Sequence, residues 1–215
     1  MVAIDYPERN SDEMRGSPLT RELLEPDPID QFERWYQEAA EVNEMPEAMT
    51  LATVDSDGLP DARMVLMKGA DSEGFRFFTN YDGVKAGQIG SNPSAALVFN
   101  WPELARSVRI RGQVERLSAA ESDAYYESRD RASQIGAWAS PQSRPLEGGR
   151  EELERNTSQA EQRFEGQPVT RPEHWGGFLV RPDQIEFWQG RRARLHDRFR
   201  YRRDLTGWRI DRLAP

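Results

Sequence analysis

The spacing of apolar residues changes period several times along the chain, and each change marks an element. Ile29, Phe32, Trp35, Tyr36, Ala39 and Ala40 recur at helical spacing. Asp27-Pro28 precedes them as an N-cap with proline at the first helical position, so a helix is predicted over about Pro28–Glu44. The period then falls to two. Met49–Val54 and Ala62–Lys68 flank Asp55-Ser56-Asp57-Gly58, a hairpin-type turn, and Gly74 closes another turn before Phe75–Thr79, which predicts a three-stranded meander. A short helix, Val84–Ser91, ends at Asn92-Pro93, and strands are predicted at Ala95–Trp101 and Ser107–Leu117.

Ser118-Ala119-Ala120-Glu121 has the form of a capping box and opens a helix to about Ser128. A further helical segment near Ala132–Ala139 stops at Pro141, and Arg150–Phe164 reads as a polar, solvent-facing helix. Gly176–Val180, Ile185–Gln189, Leu195–Tyr201 and Trp208–Ile210 supply the last strands. Many antiparallel strands with short turns and few helices predict a mainly β barrel with helical decoration, not alternating βαβ units. Residues 1–26 mix charge, proline, glycine and serine with little periodicity, and read as a mobile arm ahead of one domain over 27–215.

Composition narrows the function classes. The 215 residues suffice for one substantial core, and no linker divides them. No run approaches the ~20 apolar residues that span a bilayer, and Met1–Asn10 lacks the apolar core of a signal peptide. The absence of cysteine excludes disulfides and thiol nucleophiles and fits a cytoplasmic address. A net charge of −8 argues against nucleic acid as the main partner. Neither glycine-rich phosphate-binding signature occurs, so bound phosphates need side chains and strand or loop amides. With two histidines, His174 and His196, and no metal-ligand spacing, no metal site is expected.

Candidate chemistry gathers in four places. In the run Arg191–Arg198, an extended chain puts Arg194, His196 and Arg198 on one face, with Leu195 and Asp197 opposite; Arg191 and Arg192 read as solvated turn residues. Such a row of cations in an acidic chain suits a small, planar, anionic ligand. Arg63 and Lys68 bracket an apolar strand and, five positions apart, point to opposite faces. Tyr125, Arg129 and Ser133 recur at four-residue spacing and suit a phosphate, although the spacing alone fits an ordinary solvated helix face as well. Gln142-Ser143 and Lys85, near the start of a helix, offer further hydrogen bonds and charge.

Several longer motifs carry a resemblance. Arg63–Lys68, Phe77-Phe78-Thr79-Asn80, Ser133-Gln134-Ile135-Gly136-Ala137-Trp138, Gln142-Ser143, Trp175-Gly176-Gly177-Phe178, Ile185–Gly190, Arg194–Arg198 and Ile210–Pro215 resemble the pyridoxamine 5′-phosphate oxidase family, over about Asp27 to Pro215. The resemblance implies an FMN-binding split β-barrel with peripheral helices. It also implies a homodimer with sites where the subunits meet, to which strands in 174–215 contribute. The implied activity is oxidation of pyridoxamine 5′-phosphate or pyridoxine 5′-phosphate to pyridoxal 5′-phosphate, with O2 reduced to H2O2.

Carried over residue by residue, the resemblance implies FMN contacts at Arg63, Met64, Val65, Leu66, Met67, Lys68, Phe78, Thr79, Lys85, Gln142, Ser143, Trp188 and Arg198. It implies substrate contacts at Lys68, Tyr125, Arg129, Ser133, Arg194 and His196, of which Arg194 and His196 orient the reacting ring. The chain departs from the family pattern at Val84, where a basic residue often precedes the lysine, and at Ser107, where a glutamine commonly reaches the flavin. No counterpart of an Arg-Arg-Glu-Tyr arm element stands around Ser11–Met14. Two alternatives accompany this reading: a related split-barrel flavoprotein acting on another aromatic metabolite, as in phenazine biosynthesis, and a non-enzymatic carrier of flavin or pyridoxal phosphate.

Overall fold

The computed structural model describes residues 17–215. Helix α1 (Pro28–Ala40) begins where Asp27 accepts a hydrogen bond from the Ile29 amide at 2.7 Å. It ends four residues earlier than its apolar spacing predicts. One face, Phe32, Trp35 and Ala39, is fully buried against the inside of the sheet. Phe32 meets Phe75 and Phe99 at 4.9 Å each, and Trp35 meets Phe187 edge-on at 5.2 Å. Each such ring removed from water contributes ~1.5–3 kcal/mol, so α1 is the plug on which the interior packs.

The strands are β1 (Ala48–Val54), β2 (Pro60–Leu66), β3 (Gly69–Asp71), β4 (Gly74–Asn80), β5 (Ser94–Trp101), β6 (Arg106–Arg116), β7 (Trp175–Gln189), β8 (Asp197–Asp204) and β9 (Gly207–Leu213). Their order is β2-β1-β5-β6-β7-β4-β3, with β8 also on β7 and β9 on β8. The predicted meander is therefore corrected: β4 pairs with β7 and β3, not with β2. β2 and β3 lie at opposite ends of the path yet are joined only by Met67-Lys68. Consecutive amides bridge the gap, Met67 N–H to the Glu47 carbonyl at 2.9 Å and Lys68 N–H to the Arg76 carbonyl at 2.8 Å. A sheet whose ends are two residues apart must curl into a barrel.

β7 replaces two predicted strands by one of 15 residues, bent where its register on β6 shifts between Arg111 and Gly112. Pro182 faces Gly112 there, which is where a ladder tolerates proline. The strand predicted at Leu195–Tyr201 also begins later. Ala193 (φ 55°) and Arg194 (φ 60°) are left-handed, so extended chain resumes only near Asp197. Arg194, His196 and Arg198 thus do not form one strand face as the period of two predicts.

Helix α2 (Val84–Ser91) lies under β1, while α3 (Ala119–Ser128), α4 (Arg131–Ala139) and α5 (Gly149–Arg163) sit on the outer side of β4 and β7. Those three bury a second core of Tyr126, Ile135, Ala160, Phe164, Val169 and Trp175. Of the segment expected to be an arm, residues 17–26 pack onto the body: Leu19 and Leu24 are buried, and Tyr201 Oη donates to the Glu25 carbonyl at 2.7 Å. Ser11–Met14 lies outside the described residues.

A Cβ placed on Gly112 would stand 1.8 Å from the Arg181 carbonyl oxygen, a backbone atom with no room to retreat. Gly112→Ala should therefore cost ~1–3 kcal/mol of folding free energy, read from the midpoint of chemical denaturation. A midpoint equal to the parent's would show that the bulge is not a packing constraint.

Candidate active site

The first group of site residues surrounds the N-terminus of α2. Gly83 caps the helix, and Lys85 Nζ donates to Gln142 Oε1 at 2.6 Å and to Thr79 Oγ1 at 3.2 Å. Gln142 comes from the loop after α4, where Ser143 holds a left-handed φ of 70°, a strained conformation that tends to mark functional loops. Arg63 enters from β2, but its donors already have acceptors: Leu51 O and Thr53 Oγ1 on Nη1, Asp61 Oδ2 and Gln88 Oε1 on Nη2. Burial, and then the Arg63 charge, push the Lys85 ammonium below its usual pKa. Half-buried cations near one helix N-terminus make a place where an anion relieves repulsion.

The second group is a slab of rings between β4, α3 and the start of β7. Phe78 stacks on Tyr125 at 3.9 Å, and both planes lie nearly parallel to Trp175, at 14° and 7°. Arg129 lies over the Trp175 ring at 4.7 Å, and its Nη1 is buried without a hydrogen-bond partner among the described residues. A buried donor left so costs ~1–3 kcal/mol until a ligand satisfies it. Burial raises the Tyr125 pKa, which keeps the phenol protonated as a donor. The four-residue spacing read from sequence is not one helical face, because α3 stops at Ser128 and Asp130 caps α4 by accepting from the Ser133 amide at 2.8 Å. Tyr125 and Arg129 meet in the slab, and Ser133 opens the next helix.

The third group lines an open cleft of about 450 Å³ that includes Ser107, Arg109, Glu186, Trp188 and Arg198. Glu186, 4% exposed, holds Arg198 in a fork at 2.9 and 2.8 Å and also takes a short bond from Arg109. His196 packs on Trp188 at 4.6 Å, and its Nδ1 accepts from the Arg191 amide at 3.1 Å. The neutral ring therefore carries its proton on Nε2, ready to donate. Arg194 is exposed on the left-handed turn. Arg191 is not merely solvated: its Nε lies 3.5 Å from buried Asp197, which also accepts from the Leu19 amide at 3.1 Å and from Arg212 at 2.6 Å.

On the second strand, Met64 is exposed, Val65 and Leu66 are half-buried, and Met67 belongs to the core. Lys68 is exposed and lies beyond the strand end, so strand parity does not govern it. Val84 is exposed at the first turn of α2. Glu186, Gln88, Asp61 and Trp175 had no assigned role in the sequence reading. Glu186 stands inside a quoted motif, but what marks it is burial between two arginines, which no spacing reveals.

The fold is that of two solved structures. One is PhzG from Burkholderia lata 383 in complex with tetrahydrophenazine-1-carboxylic acid, with TM-score 0.85 and 29% identity over 93% of this chain and 99% of that one. The other is a pyridoxamine 5′-phosphate oxidase-related, FMN binding protein from Nostoc punctiforme, with TM-score 0.70 and 19% identity over 87% and 97%. Both belong with the split barrel that the strand order here builds. The family model described as pyridoxamine 5′-phosphate oxidase matches residues 36–164, and that of the pyridoxine 5′-phosphate oxidase C-terminal dimerisation region matches 175–215. Pyridoxine/pyridoxamine 5′-phosphate oxidases from Rubrobacter xylanophilus (55% identity; 92% of this chain, 91% of the relative) and Salinibacter ruber (52%; 94% and 96%) are similar over nearly the whole length. The chain belongs to the pyridoxamine 5′-phosphate oxidase family.

The lowered Lys85 pKa has a stability consequence. The folded state holds that proton less tightly than the unfolded chain, so stability rises with pH between the folded and the unfolded pKa, and below that window the charge is a net cost. Lys85→Met should remove the slope and raise the melting temperature at pH 7 by a few degrees, as measured without flavin or phosphate. A lower melting temperature would mean that the bonds to Gln142 and Thr79 outweigh the desolvation.

Proposed function

We propose that this protein is an FMN-dependent oxidase that converts pyridoxine 5′-phosphate or pyridoxamine 5′-phosphate to pyridoxal 5′-phosphate, with O2 as final acceptor and H2O2 as by-product. The observation that carries this reading is Arg129, whose buried Nη1 lacks a partner among the described residues while its guanidinium lies over the Trp175 ring. Such a group suits a phosphate arriving with the substrate. Similarity at 55% identity to oxidases named for these substrates supports the same conclusion.

The residues fit FMN. Lys85, Thr79, Gln142 and Ser143 at the α2 N-terminus would take its phosphate, with Arg63 adding charge, and Trp188 and Arg198 would meet its ring system. When bound, FMN supplies the hydride acceptor. The chain's own work is then binding and alignment. Arg129 and Tyr125, with Lys68 and Ser133, would fix the substrate phosphate through charge-assisted hydrogen bonds. His196, with its proton on Nε2, would donate to an oxygen substituent of the substrate ring, and exposed Arg194 would close on that ring from its turn. Amine substrate would give an imine that water hydrolyses to aldehyde and ammonia.

One substrate cannot reach both ends of this assignment within a single chain. Trp175, beside Arg129, and Trp188, beside His196, lie near opposite ends of the 15-residue β7, roughly 40 Å of extended strand apart. The dimerisation region supports the remedy: Arg194, His196 and Arg198 of one subunit would complete a site opened by Lys68, Tyr125 and Arg129 of the other. The likeness to PhzG favours a second reading, oxidation of an unphosphorylated aromatic metabolite.

FMN-loaded protein should oxidise pyridoxine 5′-phosphate aerobically, with one H2O2 per pyridoxal 5′-phosphate, and should act far more slowly on pyridoxine. Equal turnover of both substrates favours the second reading, and binding of FMN with no turnover of either favours a carrier. In the same assay Arg194→Ala should raise the substrate KM about tenfold or more while FMN retention stays within about twofold. Flavin loss matching the loss of activity would mean that Arg194 serves the cofactor instead.

A further inference from the structure

We propose that Trp175 is the positioning residue of the phosphate clamp: it holds the Arg129 guanidinium by its face and so leaves the N–H edge free for substrate. The inference rests on the reading of Arg129 as a phosphate ligand and adds the residue through which that ligand is presented.

Three of the arginines assigned to the site, Arg63, Arg129 and Arg198, are held in different ways. Arg63 is bound edge-on by Asp61, Gln88 and Thr53, and Arg198 by Glu186 Oε1, which accepts from both its Nε and its Nη2. In each case the acceptor that fixes the guanidinium also occupies its donors, and a carboxylate offsets its charge. Arg129 is fixed without an acceptor. Its Cζ stands 4.7 Å over Trp175 and 5.6 Å from the Tyr126 ring, and Nη1 is buried with nothing to bond. An aromatic face attracts a cation through its quadrupole and leaves every N–H available in the guanidinium plane.

Trp175 can serve this purpose because it is itself immobile. It is 6% exposed, opens β7 opposite Asn80, and is flanked by the nearly parallel rings of Phe78 and Tyr125, with Tyr126 edge-on at 5.1 Å. Its carbonyl accepts from Arg171 Nη1 at 2.7 Å. Two residues on, Gly177 leaves the space that Phe78 occupies, since a Cβ there would stand 2.7 Å from Phe78 Cε1. Tyr125, a further member of the clamp, stacks on that same Phe78. Ring planes therefore set both Tyr125 and Arg129, and Trp175 joins the outer helical core to the site.

The test compares pyridoxine 5′-phosphate with unphosphorylated pyridoxine, using FMN-loaded parent, Trp175→Leu, Trp175→Phe and Arg129→Ala proteins. Trp175→Leu should raise KM for the phosphorylated substrate roughly 10- to 30-fold and weaken competitive inhibition by inorganic phosphate by a similar factor. Its kcat should stay within about twofold, and its kcat/KM for pyridoxine should not change. Trp175→Phe, with a weaker ring face, should fall between, and it carries the test alone if the leucine variant does not fold. Equal losses on both substrates, or a phenylalanine variant identical to the parent when leucine cannot be measured, would overturn the role of Trp175. Arg129→Ala that keeps the phosphate preference would instead overturn the reading of Arg129, whatever Trp175 does.

Discussion

The two-residue link Met67-Lys68 sets the geometry on which everything else depends. It carries the chain from one end of the sheet path to the other, and its two amides bond to strands on either side of the seam. Closure at that point turns Phe75, Phe77, Leu97, Phe99 and Phe187 inward around the plug of α1, and it forces the outward residues of β4 and β7 to seek a different cover. Helices α3 to α5 provide it. The site groups lie at the margins of these two cores, where backbone is fixed by packing on one side and side chains remain open to ligand on the other.

Charge in the site is organised by how each cation is restrained. The Asp61–Arg63 and Glu186–Arg198 pairs are short and well formed, but a paired guanidinium presents a weakened charge and few donors. Lys85 is restrained by neutral acceptors, and Arg129 by rings. Those two therefore keep their charge for an anion. The division agrees with a protein that must hold two phosphates without a glycine loop, one where a helix N-terminus already helps and one where nothing but side chains is at hand. It also assigns Arg63 and Arg198 to shaping and polarising their surroundings more than to gripping a phosphate.

Local signals in the sequence hold where they act locally. The Asp27 cap, the Ser118 capping box and the full extent of Val84–Ser91 all appear in the structure as the residues themselves dictate. Strand partners are not legible, because a period of two gives a strand and its faces but not its neighbour; a meander places β4 on β2, whereas it pairs with the short β3 and with β7, a strand a hundred residues away. The turn at Ala193-Arg194 was missed for a related reason. Neither residue is a glycine or asparagine, so nothing local announces the left-handed backbone there. At the site, helical spacing suggested Tyr125 and Arg129 for the wrong reason: they are joined by stacked rings from β4 and β7, not by one helix face.

Under the proposed assignment of site residues, the arrangement of β7 makes association a chemical requirement. Its first residues support the phosphate clamp on the outer side of the barrel, while its last residues carry Trp188 and pair with the strand that bears Arg198. A bulge at Pro182 bends the strand but does not bring its ends together. A single chain thus holds the two groups assigned to the site near opposite ends of one strand, each with cations that the other lacks. On the proposed assignment a twofold axis resolves this if it sets the late end of one β7 against the early end of the other, since symmetry then completes both sites at once. On that reading folding of the barrel precedes function by one step: the half-sites are built by packing within a chain, and substrate would be recognised where two chains meet.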